Sequence, residues 1–333
     1  MINKAFAGTE ATNSLSSTSF VPAYLKAGDT VGITCPAGAV ELDKMQCCCD
    51  VLKQWGLNVT FGKTVGKRWQ RFGGTDQERL EDFQEMLDDN NIKAIIFGKG
   101  GYGTLRIIDK LNWNKFSQNP KWLVGYSDLT VVHLHVHNNM NISTLHGDMS
   151  SGFSNNPSDA SVASLKDALF GTRMEYSVKS HVMNRIGKTT GKLVGGNLTM
   201  LNACSGSKSD VNTKGKILFI EDVSEFKYNI DRMMMSLKRS GKLDELAGLV
   251  IGEFTAIRND EEESFSMGVE EIIWEKVKEY DYPVCFHFPA GHIAGNMALK
   301  MGASYEMNVD RQATSLLEIV PPPKPVNVNI FQS

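Results

Sequence analysis

The sequence predicts an α/β protein with two domains, and two observations lead to this prediction. From Asp29 onward, apolar segments of strand length alternate with segments of helical periodicity, which is typical of a parallel sheet covered by helices. The chain has 333 residues, of which 41% are hydrophobic and 22% charged, and a chain of this length usually folds around more than one hydrophobic core. We therefore expect a doubly wound N-terminal domain followed by a second domain with its own elements.

The domain boundaries are predicted from changes in composition. The first twenty residues are rich in Ser, Thr and Ala, and apolar periodicity weakens again after the segment SNNPSDAS. We expect a disordered tail at 1–20, a first domain at 21–165, a connection at 166–190 and a second domain at 191–333.

Each predicted element has a local pattern behind it. Thr75 and Glu78 match a capping box at the start of one helix. The expected strands of the first half are TVGITCPAG, KAIIFG, KWLVG and ISTLHG, and the expected helices are ELDKMQCCCDVLKQWG, TDQERLEDFQEML, TLRIIDKL and LTVVHLHVH. In the second half we expect strands at GKLVGGN, KGKILFIED, LAGLVIGEF, PVCFHFPAGH, SYEMNV and SLLEIV, and a helix at YNIDRMMMSLKRSG.

Charge and cysteine usage exclude several classes of partner. The formal net charge is -3 and no Lys/Arg-rich block is present, so nucleic acid is not an expected partner. No apolar run has the length of a signal peptide core or a membrane span. Because the six cysteines lack paired CxxC spacing, we expect a reducing compartment and a cytoplasmic protein that binds no membrane.

A glycine-rich loop follows the strand KAIIFG. Gly98, Gly100 and Gly103 satisfy the pattern GxGxxG, which is found in dinucleotide-binding loops. A dinucleotide site also needs an acidic residue at the end of the next strand, but that strand ends in Gly125 and is followed by Tyr126. The loop therefore has two other interpretations: backbone N–H groups that face an anion or oxyanion, or simply a tight turn.

The next strand leads into a candidate nucleophile. The sequence Gly125-Tyr126-Ser127-Asp128 has the strand, turn and helix context of a nucleophile elbow, although Leu129 stands where the usual GxSxG pattern has glycine. Such a turn raises a serine hydroxyl at a helix N-terminus. The alternative is that Ser127 only caps the helix.

Histidines on the following helix raise the question of a metal. His133 and His137 lie one turn apart with His135 between them, but the glutamate of an HExxH motif is absent. We expect these histidines to be packing residues and predict no metal ion.

The second half contributes candidate acid and base residues. Glu221 and Asp222 end an apolar strand, where a carboxylate is also common as a loop or helix cap. His292 lies in a glycine-rich loop that is able to present an imidazole outward, whereas His287 is expected within a strand.

These segments together resemble the LD-carboxypeptidases of peptidoglycan recycling, a serine-peptidase family that includes microcin-immunity peptidases. The resemblance extends from about Leu25 to Val320. It rests on the order and spacing of LKAGDTVGITCPAG, GGTDQERL, GKGGYGTLRI, LVGYSDLT, LHGDM, GGNLTML, LFIEDV and FPAGHIAGN.

The resemblance implies a fold and a set of roles. The fold is a Rossmann-like N-terminal domain and a mixed α/β C-terminal domain with the active site between them, commonly as a homodimer and without a cofactor. Ser127 is implied as nucleophile, Glu221 as orienting acid and His292 as general base. The backbone N–H groups of Gly101 and Asp128 are implied as the oxyanion hole.

The implied reaction is hydrolysis of an L,D-amide bond that releases a terminal D-amino acid from a muropeptide-like peptide. Lys99 and Arg106 are candidates to bind the substrate. Many members have Arg at the position of Lys99 and HGP where this chain has His146-Gly147-Asp148, so the preferred peptide is open. The alternatives are hydrolysis of a microcin-type peptide-nucleotide, peptide or nucleotide binding without catalysis, and nicotinamide-dependent oxidoreduction.

Overall fold

Two sheets form the framework of the protein in a computed structural model that describes residues 19–154, 156, 159–259 and 265–320. Helices cover both sheets, which confirms the predicted two-domain α/β fold. The tail predicted at 1–20 lies almost wholly outside the described residues.

The first sheet has the order β11-β5-β4-β3-β1-β2 and is parallel except for β11, which pairs antiparallel with β5. Its strands are β1 (Thr30–Thr34), β2 (Asn58–Phe61), β3 (Ile92–Phe97), β4 (Trp122–Gly125), β5 (Thr144–His146) and β11 (Leu299–Met301). Because parallel strands end at the same edge, the loops after β1, β3, β4 and β5 meet there.

The helices of the first half are α1 (Gln46–Gln54), α2 (Asp76–Asp88), α3 (Asn114–Gln118), α4 (Thr130–Met140) and α5 (Ala160–Phe170). The predicted capping box is present, with the Thr75 hydroxyl and the Glu78 side chain each bonded to the other's backbone. The helix expected at TLRIIDKL is instead two 3-10 turns, Thr104–Arg106 and Ile108–Lys110. Thr104, at the start of the segment, donates its N–H to the Asp128 carboxylate, a long-range contact that the apolar spacing does not reveal.

The second sheet has the order β10-β9-β8-β7-β12-β13-β6. Its strands are β6 (Glu175–Lys179), β7 (Gly187–Asn197), β8 (Ile217–Val223), β9 (Gly248–Thr255), β10 (Val284–Cys285), β12 (Ser304–Val309) and β13 (Ala313–Glu318), and its helices are α6 (Leu198–Ala203), α7 (Lys227–Arg239) and α8 (Val269–Val277). The long strand β7 pairs antiparallel with β12 over its first half and parallel with β8 over its second.

The stretch expected as a connection, 166–190, carries regular structure. It holds the end of α5, all of β6 and the start of β7, and β6 pairs with β13 at the edge of the second sheet. Conversely, β11 comes from the C-terminal part of the chain but pairs with β5 at the edge of the first sheet. Hydrogen bonding between distant segments determines both pairings, so neither is visible in local composition.

Helix α4 joins the two halves, and its histidines are packed inside. His133 bonds the Gly125 carbonyl and the Thr144 hydroxyl, each at 2.8 Å, and His135 bonds the Ser209 hydroxyl at 2.9 Å. Within the described ranges, no group of three His, Cys, Asp or Glu side chains is placed to hold a metal ion. His133, His135 and His137 are all buried, so these side chains pack within the fold, as expected.

The buried imidazole of His137 predicts a pH-dependent stability. Burial lowers its pKa to about 3 in the folded protein, whereas the unfolded chain binds a proton near pH 6.5. The stabilising contribution is complete above that pH and is lost as the pH falls, because only the unfolded state gains the proton. Relative to His137→Met, the wild type should lose roughly 2 kcal/mol of unfolding free energy between pH 7 and pH 5, as measured by urea unfolding. A pH-independent difference between the two proteins would contradict this.

None of the helices in the described part of the chain is long and apolar enough to cross a membrane. All six cysteines lie in that part, are free thiols, and five of them are buried.

Candidate functional site

The turn after β4 holds Ser127 in an unusual backbone conformation. Its φ is 62°, in the left-handed region that non-glycine residues seldom adopt, and a 3-10 turn, Ser127–Leu129, follows directly and leads into α4. Gly100 passes so close that a Cβ there would lie 2.9 Å from the Ser127 Cβ, which only glycine permits. The strained turn presents the serine hydroxyl beside the glycine-rich loop, as in a nucleophile elbow.

Glu221 and His292 meet across 71 residues of sequence. The His292 Nδ1 and Glu221 Oε2 atoms are 2.7 Å apart, and the side chains are 19% and 0% exposed respectively. Gly291 allows this contact, since a Cβ at that position would come within 3.0 Å of the Glu221 side chain. A buried carboxylate thus orients an imidazole whose other nitrogen faces away from it.

Asp222, the neighbouring acid, has a different role. Its carboxylate accepts hydrogen bonds from the Thr199 N–H and hydroxyl and from the Asn197 amide, and so caps the start of α6. Burial, and then the nearby Glu221 charge, raise the pKa of Asp222 to about 6. The two adjacent carboxylates therefore separate into one that caps a helix and one that contacts the imidazole.

Tyr126 links the imidazole to the serine turn. The ring of Tyr126, the residue before Ser127, lies 4.8 Å from the His292 ring, centroid to centroid. One turn further on, the Thr130 hydroxyl accepts the Asn197 N–H at 3.0 Å. These contacts place the residue before Ser127 against the His292 ring and join the two domains at that point.

Asp128 anchors the glycine loop from the serine side. Its carboxylate accepts the Thr104 N–H at 2.9 Å, and burial raises its pKa. The Asp128 N–H lies in the first turn of a helix, where the backbone donor has no intrahelical acceptor. Gly101 lies in the loop next to Gly100, and among the described residues its N–H has no hydrogen-bond partner. The two amides are thus available donors near Ser127.

Arg79 is a structural residue of the site that the sequence analysis missed. Its guanidinium is buried, and it donates to the carbonyls of Pro36, Gly74 and Gly103, the last at 2.9 Å. It also pairs with Asp76 at 2.5 Å. One cation thus ties three site loops together, and the available signal was a charged residue on the apolar face of α2.

Asn296 is a second residue that was missed. Its side chain is fully buried, with Oδ1 accepting the Gly291 N–H at 2.8 Å and lying 3.3 Å from His146 Nε2. Its amide nitrogen donates to Asp148 Oδ1 at 3.1 Å, and burial raises the pKa of that carboxyl. Asn296 therefore links the loop that carries His292 to Asp148, which follows β5 in the first domain. Asp148 stands where many members of the family have the proline of HGP.

The two predicted substrate-binding cations occupy different places. Lys99 is exposed and precedes Gly100 in the loop that touches Ser127. Arg106 is 41% exposed and pairs with Asp76 at 2.8 Å while lying over the Phe72 ring. Arg106 is thus already engaged by a carboxylate, whereas Lys99 has no ion pair in the described parts of the chain.

Comparisons with known proteins cover both halves. Residues 31–147 match the LD-carboxypeptidase N-terminal domain and residues 190–307 match the LD-carboxypeptidase C-terminal domain. A probable murein peptide carboxypeptidase of Bacillus subtilis (strain 168) is 33% identical over 308 residues, which are 91% of this chain and 95% of that protein. The microcin C7 self-immunity protein MccF of Escherichia coli is 23% identical over 332 residues, covering 89% of this chain and 95% of MccF.

The fold also matches a solved structure. The crystal structure of muramoyltetrapeptide carboxypeptidase from Oxalobacter formigenes superposes with a TM-score of 0.80 at 26% identity, covering 88% of this chain and 99% of that one.

Proposed function

This chain belongs to the LD-carboxypeptidase family, and from that membership we propose that it is a serine carboxypeptidase that releases a terminal D-amino acid from a muropeptide-type peptide. Ser127 is the nucleophile, His292 the general base and Glu221 the acid that orients it. The observation that carries this proposal is the 2.7 Å bond between His292 and buried Glu221, beside the strained turn of Ser127.

The proposed reaction is acyl transfer. The neutral His292 imidazole takes the Ser127 hydroxyl proton as the oxygen attacks the amide carbonyl, and the Gly101 and Asp128 N–H groups bind the oxyanion. The imidazolium, stabilised by Glu221, then gives that proton to the leaving amine of the D-amino acid. Water, deprotonated by His292, hydrolyses the acyl-enzyme and regenerates the serine.

The deciding experiment incubates the enzyme with a muropeptide tetrapeptide and detects released D-alanine by mass spectrometry. Hydrolysis of a peptidyl-nucleotide in place of the tetrapeptide would favour the microcin-type alternative. Binding of the tetrapeptide without turnover would favour a binding protein, and a thermal shift with NAD would favour the oxidoreductase. Full activity after dialysis against a chelator is expected from this mechanism, in which no metal takes part.

Lys99 is proposed to hold the terminal carboxylate of the substrate. Lys99→Met should mainly raise KM. Amidation of the substrate's terminal carboxylate should lower the wild-type kcat/KM roughly tenfold to hundredfold, because a charge-assisted hydrogen bond is worth roughly 1.5–3 kcal/mol. The same amidation should lower the kcat/KM of the variant far less. Equal penalties in both proteins would exclude Lys99 as the carboxylate receptor and direct attention to Arg106.

Asn296 is proposed to position the histidine loop. Asn296→Ala removes the acceptor of the Gly291 N–H and the donor to Asp148, so we expect kcat to fall about tenfold or more while KM changes little, because His292 loses its fixed position. The unfolding free energy should fall by about 1–3 kcal/mol because buried polar groups lose their partners. An unchanged kcat in a destabilised variant would show that Asn296 only supports the fold.

From the same family resemblance we also propose that the protein is a homodimer and that it is located in the cytoplasm. Sedimentation equilibrium of the purified protein and cell fractionation test these two statements.

A further inference from the structure

Asp148 follows β5 in the first domain and carries a buried carboxyl group. The residue is 8% exposed, and burial raises the pKa of its carboxyl. Removing a carboxyl group from water is unfavourable unless hydrogen bonds in the protein replace those to water. A buried acid at this position, where many members of the family have proline, therefore needs a specific partner in the fold.

The partner is Asn296, a fully buried residue in the loop that carries His292. Its amide nitrogen donates to Asp148 Oδ1 at 3.1 Å, and its Oδ1 accepts the Gly291 N–H at 2.8 Å. The same oxygen lies 3.3 Å from His146 Nε2, which therefore carries the hydrogen of that contact. The two ends of the amide thus have different partners, and the group has one favourable orientation.

Asp148 selects that orientation from the side of the first domain. An ionised carboxylate accepts hydrogen bonds but donates none, so it pairs with the nitrogen end of the amide and directs the oxygen end to Gly291. Without this acceptor the buried Asn296 nitrogen would be unpaired, an unfavourable state that a movement of the side chain towards water relieves. The Gly291 N–H would then lose its acceptor as well.

Gly291 determines where His292 lies relative to Glu221. Its φ is 123°, and a Cβ at this position would lie 3.0 Å from the Glu221 side chain, so the backbone passes directly against that carboxyl. The adjacent His292 imidazole contacts Glu221 at 2.7 Å. A shift of the Gly291 backbone therefore moves the imidazole, and a displacement of about 1 Å is enough to lower turnover about a hundredfold.

We propose that Asp148 is a positioning residue for His292, which acts by orienting the Asn296 amide and thereby fixing the Gly291 backbone. The inference rests on the proposed function, in which His292 is the general base. Asp148 belongs to the first domain, which also carries Ser127. This chain of hydrogen bonds therefore fixes the base relative to the domain of the nucleophile.

The first test replaces the acceptor. Asp148→Leu removes it and keeps most of the side-chain volume. We expect kcat for D-alanine release to fall about tenfold with little change in KM, because the substrate still binds but the base is displaced. Asp148→Asn keeps an acceptor oxygen and should stay within about threefold of the wild-type kcat. Asp148→Ala takes the place of the leucine variant if that protein does not fold.

Thr213→Ala is the control for lost stability. The Thr213 hydroxyl donates to the Lys242 carbonyl at 2.7 Å, and Thr213 precedes the start of β8, whereas Glu221 lies near the other end of that strand. The variant should have a lower melting temperature, because it loses a buried hydrogen bond, and an unchanged kcat. A fall in kcat equal to that of Asp148→Leu would show that lost stability alone explains the effect and would overturn the inference.

A double-mutant cycle with Asn296→Ala tests the route. If Asp148 acts through Asn296, Asp148→Leu should lower kcat no further once Asn296 has been replaced. Effects of the two substitutions that multiply in the double variant would show that Asp148 acts by another route, contrary to the inference.

Hydrogen exchange of the Gly291 amide, followed by NMR, separates this inference from the proposed function because it needs no substrate. We expect exchange at least about tenfold faster in Asp148→Leu than in the wild type, and near-wild-type exchange in Asp148→Asn. If the wild type releases no D-alanine, the proposed function fails, and faster exchange still supports the hold of Asp148 on the loop. An unchanged exchange rate, or an unchanged kcat in Asp148→Leu, rejects the inference.

Discussion

Replacing Ser127 with alanine is expected to lower kcat/KM for D-alanine release by at least about a thousandfold, the largest effect that we predict. Without the hydroxyl no acyl-enzyme forms, and only binding and the oxyanion donors are left to promote attack by water. Turnover is measured by chiral analysis of released alanine, with dilutions that detect activity at a ten-thousandth of the wild-type rate.

Ser127→Gly is the matched control for the strained backbone. Both variants lack the hydroxyl, so both should be inactive, but glycine adopts a φ of 62° without the cost of about 1–2 kcal/mol that a side chain carries. The glycine variant should therefore have the higher melting temperature of the two. Near-wild-type activity in either variant would show that Ser127 is not the nucleophile.

Replacing His292 with alanine should lower kcat/KM by a similar factor of at least about a thousandfold, because the serine loses its base and the leaving amine its proton donor. The substitution also deprives buried Glu221 of its partner, so the unfolding free energy should fall by about 1–3 kcal/mol. Steady-state kinetics and urea unfolding on the same preparation separate the two effects.

Two controls make this result specific. His292→Ala combined with Glu221→Gln should recover stability, since the buried charge is gone, and stay inactive. His287→Ala changes the neighbouring histidine, which is exposed, has a φ of 56° and lies within 3.3 Å of Glu253 and Glu270. It should retain activity. If His287→Ala lost activity and His292→Ala retained it, His287 would be the general base in place of His292.

Local pattern determined much of this protein. Short segments of the sequence, where side-chain periodicity and backbone preference act directly, predict three features. These are the alternation of strands and helices, the capping box at Thr75 and the polar residues at strand ends. The candidate residues Ser127, Glu221 and His292 were chosen from such segments, together with the family resemblance.

Long-range contacts decided the rest. Strand β11 joins the first sheet and β6 the second because their backbone groups find partners more than a hundred residues away. The sequence TLRIIDKL has helical spacing but forms 3-10 turns where it meets the serine turn through Asp128 and Thr104. The spacing of α2 places Arg79 on the apolar face, but the partners of buried Arg79 and Asn296 come from distant segments of the chain.

The site shows the same division. Residue type and local position selected Ser127, Glu221 and His292 as candidates, but Glu221 and His292 come together only in the folded protein. The physical reason is that propensity acts between neighbours in the chain, whereas hydrogen bonds, burial and charge act between neighbours in space.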